Sequence, residues 1–246
     1  TAVRLRLVVD PAERTTALLG FRSMPDARHA AWALRRACPA VEVIEYISGA
    51  CADLVSSVGG VQRPIEGPEL LLVEAAAESG TTELLGDAVA ALGDVVLNVA
   101  VAEGDARRSE LWRFRDDITT SLATLGSVMQ YDVSIPSDAV DVFRSEVGSA
   151  VAALDADAWW FGHVCDDNLH LNVTGLDPRR AVDLDGSVLP LVAVHGGSIS
   201  AEHGIGRSKA GYLNLARSSV EIELFRAIKA AFDPQGILNP GVILEA

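Results

Sequence analysis

The feature that most limits the possible folds is a repeat of segment types on either side of one breaker-rich loop. Residues 15–21 and 41–47 have the β-branched and aliphatic character of strands. Between them, residues 26–38 place Ala27, Ala30, Ala31 and Leu34 on one helical face. Residues 49–58 read as a short helix, and residues 59–68, rich in glycine and proline, read as a loop. A strand (70–77), a helix (82–91) and another strand (94–100) then repeat the theme. Two such strand–helix–strand units predict an α+β fold of ferredoxin-like, split βαβ type: a mainly antiparallel sheet with helices packed on one face.

Further along, the pattern predicts a helix over 107–125, a strand over 128–133 and a helix from an N-cap at Ser137 to residue 153. A hairpin follows over 159–173, then a helical stretch over 187–195. Ser218 with Glu221 three residues on is a capping box opening a helix to about residue 232, so C-terminal helices complete the fold.

The hairpin carries the chemistry. Its centre, GHVCDDNLHLN over residues 162–172, and the glycine-framed segment GGSISAEHGIG over residues 196–206 hold His163, His170, Glu202 and His203. A two-residue turn at Asp166 and Asp167 predicts that His163 faces His170 directly, with Cβ atoms about 5 Å apart. Phe161, His163, His170 and Asn172 then share one face, while Leu169, Leu171 and Val173 point to the core. The glycines let the second segment bend towards the hairpin, so Glu202 supplies a third ligand. Two imidazoles and a carboxylate with open positions suit zinc, manganese or iron in a catalytic setting. The alternative is a pair of satisfied sheet histidines and a solvated glutamate. Cys165 is either a further ligand or, more in keeping with its type, a small buried residue; His195 reads as a partner of a helix C-terminus.

Charge and cysteines narrow the partners. A net charge of −14 and a pI near 4.7 argue against nucleic acid and anionic membrane surfaces. No apolar run approaches the roughly 18 residues of a spanning helix, and no basic-then-apolar leader opens the chain. Cys38, Cys51 and Cys165 are too widely spaced for a disulfide framework, which points to a reducing, cytoplasmic setting.

Residues 162–172, 197–206 and 232–241 (FDPQGILNPG) together resemble the C-terminal domain of the FAD-linked oxidase family, which includes D-lactate dehydrogenases, the glycolate oxidase flavoprotein subunit and D-2-hydroxyglutarate dehydrogenase. A weaker block joins residues 112–115 (WRFR) to 131–136 (YDVSIP). The resemblance implies oxidation of a small D-2-hydroxy acid with hydride transfer to FAD. It implies a divalent metal, zinc or manganese, on His163, His170 and Glu202, with His203 as general base. It also implies Arg115, Thr119 and Asn172 as substrate-binding residues and Asn239 beside the flavin. Residues 1–10 would be the last strand of an upstream FAD-binding domain and residues 11–246 the cap, substrate and metal domain. The chain alone would then bind no FAD and lack turnover. A homo-oligomer or an electron-acceptor partner is compatible with the resemblance. Where relatives acting on dicarboxylates carry Lys, this chain has Gln130; Val242 replaces a frequent Lys after the last turn. The competing readings are a non-catalytic metal-binding or assembly module of the same fold, and a related flavin oxidase acting on another alcohol.

Overall fold

A computed structural model describes residues 2–7, 9–102 and 104–244. The chain divides into two units, residues 1–118 and 119–246.

In the first unit, strands β1 (Glu13–Phe21), β2 (Val41–Ser48), β3 (Glu69–Ala77) and β4 (Asn98–Val101) run in the order β4-β1-β3-β2. Their pairings are antiparallel. This is the interleaved order that two split βαβ units produce, because each unit leaves room for one strand of the other. Helices α1 (Met24–Ala37), α2 (Gly49–Gly59) and α3 (Thr81–Ala90) fall where the periodicity places them. Ala27, Ala30, Ala31 and Leu34 of α1 are fully buried, as one helical face should be. Strand β4 begins later than expected, since Gly93–Val95 forms a 3₁₀ turn.

Helix α4 (Asp105–Asp116) covers the second face of this sheet, and the contact is polar. Neighbouring strand residues point to opposite faces. Thr15 donates to Thr81 at the start of α3 (2.9 Å), whereas Thr16 donates to the buried Glu74 (2.6 Å). Glu74 also accepts from Arg108 Nε (2.9 Å) and Trp112 Nε1 (2.7 Å) of α4. Burial alone would raise the Glu74 carboxyl; bonds from Thr16, Trp112 and Arg108 outweigh it and hold the group below the usual carboxylate range. The single helix expected over 107–125 is two, α4 and α5 (Ile118–Ala123). The break falls at Asp117, where an aspartate precedes the β-branched run Ile118, Thr119 and Thr120, all weak helix formers.

In the second unit, strands β5 (Met129–Ser134), β6 (Asp157–His163) and β7 (Asn168–Thr174) form an antiparallel set with β7 in the middle. Helices α6 (Val140–Ala152) and α7 (Ala181–Val194) pack together over one side of it, where Leu169, Leu171 and Val173 are buried. Helix α6 starts two residues later than expected from a Ser137 cap, its N-cap being Ala139. Ser137 Oγ donates instead to Asp167 Oδ1 (2.6 Å), so it serves the hairpin loop. The short α8 (Leu213–Ala216) precedes α9 (Ser219–Phe232), which has the expected capping box between Ser218 and Glu221. Val220, Leu224, Ile228 and Phe232 lie four apart on α9 and are exposed.

The strand expected within residues 1–10 is not formed among residues 2–7, 9 and 10; Thr1 and Val8 lie outside the described residues. Val3, Leu5, Leu7 and Val9 are exposed.

Candidate functional site

Strand β7 alternates polar and apolar side chains, so the leucines enter the core while Asn168, His170 and Asn172 occupy the other face. With a strand on each side, all three are still buried. The register sets Asp132 and Phe161 beside His170, Gln130 and Trp159 beside Asn172, and Ser134 and His163 beside Asn168.

The expected hairpin register is displaced by two residues: His163 faces Asn168, not His170. A two-residue turn of the favoured hairpin type needs positive φ at both positions. The chain instead uses a 3₁₀ turn, Val164–Asp166, and places only Asp167 in the left-handed region (φ 55°). The Asp167 carbonyl accepts from Ile135 N–H (2.9 Å), and its carboxylate accepts from Ser137. Gly162 makes the close pairing possible, since a Cβ there would lie 2.5 Å from the Asn168 carbonyl oxygen. A displacement of two preserves side-chain parity. His163 and His170 therefore stay on one face as a diagonal pair, their rings 5.2 Å apart and perpendicular.

The segment after α7 crosses to this face. Ser198 exchanges backbone hydrogen bonds with Ser134 (3.0 and 2.8 Å). Gly197 allows that approach, because a Cβ would overlap the Ser134 carbonyl oxygen. Ala201 N–H then donates to the Asp132 carbonyl (3.3 Å). Glu202 and His203 N–H groups both donate to Asp132 Oδ2 (2.7 and 2.8 Å). Lys209 Nζ donates to the carbonyls of Ile199 (2.6 Å) and Asp132 (3.4 Å). Desolvation would raise the Asp132 carboxyl, but the His203 and Glu202 amides and the nearby imidazoles keep it below the ordinary range. At Lys209 desolvation wins instead: burial lowers its ammonium, despite the charges of Asp132 and Asp185.

His163, His170 and Glu202 each offer one donor atom, all within 4.8 Å of one another. His163 Nε2 stands 3.9 Å from Glu202 Oε1. Donors bound to zinc at about 2.1 Å sit about 3.4 Å apart, so small side-chain rotations close this set around one ion. The donor types fit a divalent cation of the zinc or manganese kind. The His203 ring lies parallel to that of His170 at 6.1 Å and is exposed. Buried polar atoms without a hydrogen-bond partner gather here: Asp132 Oδ1, Asn172 Oδ1, both amide atoms of Asn168, and Ser200 Oγ. Each such atom costs about 1–3 kcal/mol unless something pairs with it. A polar ligand suits the face.

The other expected site residues sit elsewhere in the chain. Arg115, on α4, donates through Nε to Glu45 (2.7 Å) in the first unit. Thr119 is exposed on α5. Asn239 adopts a left-handed conformation (φ 45°) and lines a cleft of about 430 Å³ with Arg226, Lys229 and Asp233. Cys165 is partly buried in the hairpin turn, and His195, at the end of α7, pairs with Glu146 (2.7 Å). Asp132 and Lys209 were not singled out from the sequence, although both hold the site loop.

The chain is 36% identical over 160 residues to a D-2-hydroxyglutarate dehydrogenase of Stutzerimonas stutzeri, covering 61% of this chain and 34% of that protein. It is 40% identical over 154 residues to one from Xanthomonas citri pv. viticola, covering 59% and 32%. It thus spans about a third of the length of these relatives. Among solved structures, a 4-ethylphenol oxidase from Gulosibacter chungangensis in an isoeugenol complex superposes with a TM-score of 0.67 at 14% identity, covering 98% of this chain and 55% of that one. That likeness is one of fold. No helix among the described residues is long and apolar enough to cross a membrane. The family pattern described as FAD linked oxidases, C-terminal domain, matches residues 10–243, and the chain belongs to this family.

Proposed function

We propose that the chain is the substrate- and metal-binding part of a flavin-dependent dehydrogenase that oxidises a small D-2-hydroxy acid. The convergence of His163, His170 and Glu202, with His203 next in sequence, carries the reading. The names of two relatives, D-2-hydroxyglutarate dehydrogenase, support the substrate class.

His163, His170 and Glu202 would hold a zinc or manganese ion, which would supply Lewis acidity towards the substrate hydroxyl and carboxylate. His203 accepts the hydroxyl proton at a ring nitrogen while hydride departs from the α-carbon. FAD, when bound, supplies the hydride acceptor. Asn172 presents its unpaired Oδ1 to the substrate. Arg115 offers a two-pronged contact to a carboxylate, shared with Glu45. Thr119 contributes a further hydroxyl, and Asn239 a polar contact towards the flavin. The chain's three widely spaced cysteines favour a reducing, cytoplasmic setting.

The first test is the metal content of purified chain beside His163→Ala. The wild type retains close to one zinc or manganese ion and the variant loses it; equal, near-zero contents in both would refute the clamp. In the full flavoprotein, His203→Ala should cut flavin reduction by D-2-hydroxy acids roughly 10²–10⁴-fold. An unchanged rate would remove His203 from the reaction.

A further inference from the structure

We propose that Asp132 is the positioning residue of this site: one carboxylate oxygen fixes the loop bearing Glu202 and His203, and the other orients the ring of His170. The inference deepens the metal reading on its His170 side and rests on the loop geometry alone on the other.

Asp132 is 3% exposed, and a buried carboxylate needs partners for its charge. It finds them in two consecutive peptide N–H groups on Oδ2, at 2.7 and 2.8 Å. Two neighbouring peptides converging on one oxygen set the directions of both side chains that follow. The ligand and the base therefore share one anchor. Lys209 secures the same segment through Ile199 and the Asp132 carbonyl. The second oxygen, Oδ1, lies 3.7 Å from His170 Nδ1 and has no hydrogen-bond partner. The register explains the closeness, since Asp132 and His170 are directly opposed on β5 and β7. A carboxylate there favours the proton on Nδ1 and leaves the Nε2 lone pair for a cation. Asp132 thus acts through Glu202, His203 and His170, without touching substrate itself.

Two substitutions separate the two oxygens. Asp132→Asn keeps an oxygen able to accept both loop amides but removes the charge beside His170; Asp132→Ala removes both. Amide exchange at Glu202 and His203, read by NMR on the full chain without metal, is expected to quicken at least tenfold in Asp132→Ala. Exchange at Leu169 and Leu171 should stay as in the wild type. Asp132→Asn should keep the loop amides protected, shift His170 towards its Nε2–H tautomer by imidazole ¹⁵N shifts, and weaken Zn²⁺ binding on the order of 10–100-fold in calorimetric titration. Wild-type exchange at residues 202 and 203 in Asp132→Ala would overturn the proposal. So would Asp132→Asn with an unchanged tautomer and wild-type Zn²⁺ affinity, and that variant decides alone if Asp132→Ala does not fold. Should wild type and His163→Ala bind Zn²⁺ equally, the clamp fails, while exchange and tautomer still decide the role of Asp132.

Discussion

At the residue scale, the family blocks mix chemistry with structure. In the WRFR block, Trp112 donates to Glu74, Arg113 donates to the Gly59 carbonyl at the end of α2 (3.1 Å), and Phe114 is buried. These three residues fasten α4, and Arg115 is the member proposed for the reaction. Glu74 is the keystone of that fastening. Glu74→Ala leaves Arg108 and Trp112 without their acceptor, so chemical denaturation should show a loss of about 3 kcal/mol. Its depressed carboxyl fixes the sign of the pH effect. The stabilisation is fully present above the unfolded carboxylate range, about pH 4–5, and is lost as pH falls through the lower folded-state value. Unfolding free energy should therefore decline on acidification in the wild type, and less steeply in Glu74→Gln. Gln130 sits across from Asn172 on the site face and is exposed. Gln130→Lys should raise kcat/KM for a D-2-hydroxy dicarboxylate over a monocarboxylate by about tenfold, the equivalent of about 1.4 kcal/mol. An unchanged ratio would mean that the second carboxylate lies elsewhere.

At the scale of elements, β1 to β3 and α1 to α3 of the first unit were legible because breakers and periodicity agree with tertiary placement. The capping box at Ser218 was legible for the same reason: its two partners are three residues apart. What stayed hidden depends on partners distant in the chain. Ser137 looked like a helix cap until Asp167, thirty residues on, claimed its hydroxyl. Asp132 falls in the YDVSIP block, but its amide partners are seventy and seventy-one residues away, so no local pattern reveals its role. The histidine face was readable from parity, whereas the turn that sets the register depends on the left-handed Asp167 and its tertiary contacts. Gly197→Ala tests the seat of the loop. The added methyl must push the segment off Ser134, so melting temperature and Zn²⁺ affinity should fall together. Retained zinc affinity with a lowered melting point would show that Glu202 is placed independently of that contact.

For the whole molecule, the net charge of the chain is −14. The field attracts a dication and repels an anionic substrate, and salt screens both effects within about 10 Å at 0.1 M. Zn²⁺ binding to the chain should weaken steadily as ionic strength rises from about 10 mM to 0.1 M. An affinity indifferent to salt would place the attraction in the three ligands alone. The histidine hairpin imposes a rule of counting on any variant of this sequence. Lengthening or shortening its connection by a pair of residues slides the imidazoles along the strand yet keeps both above the same surface. A single insertion or deletion that shifts the register by one would turn one of them into the leucine-lined interior, so viable changes of length there should come in even steps.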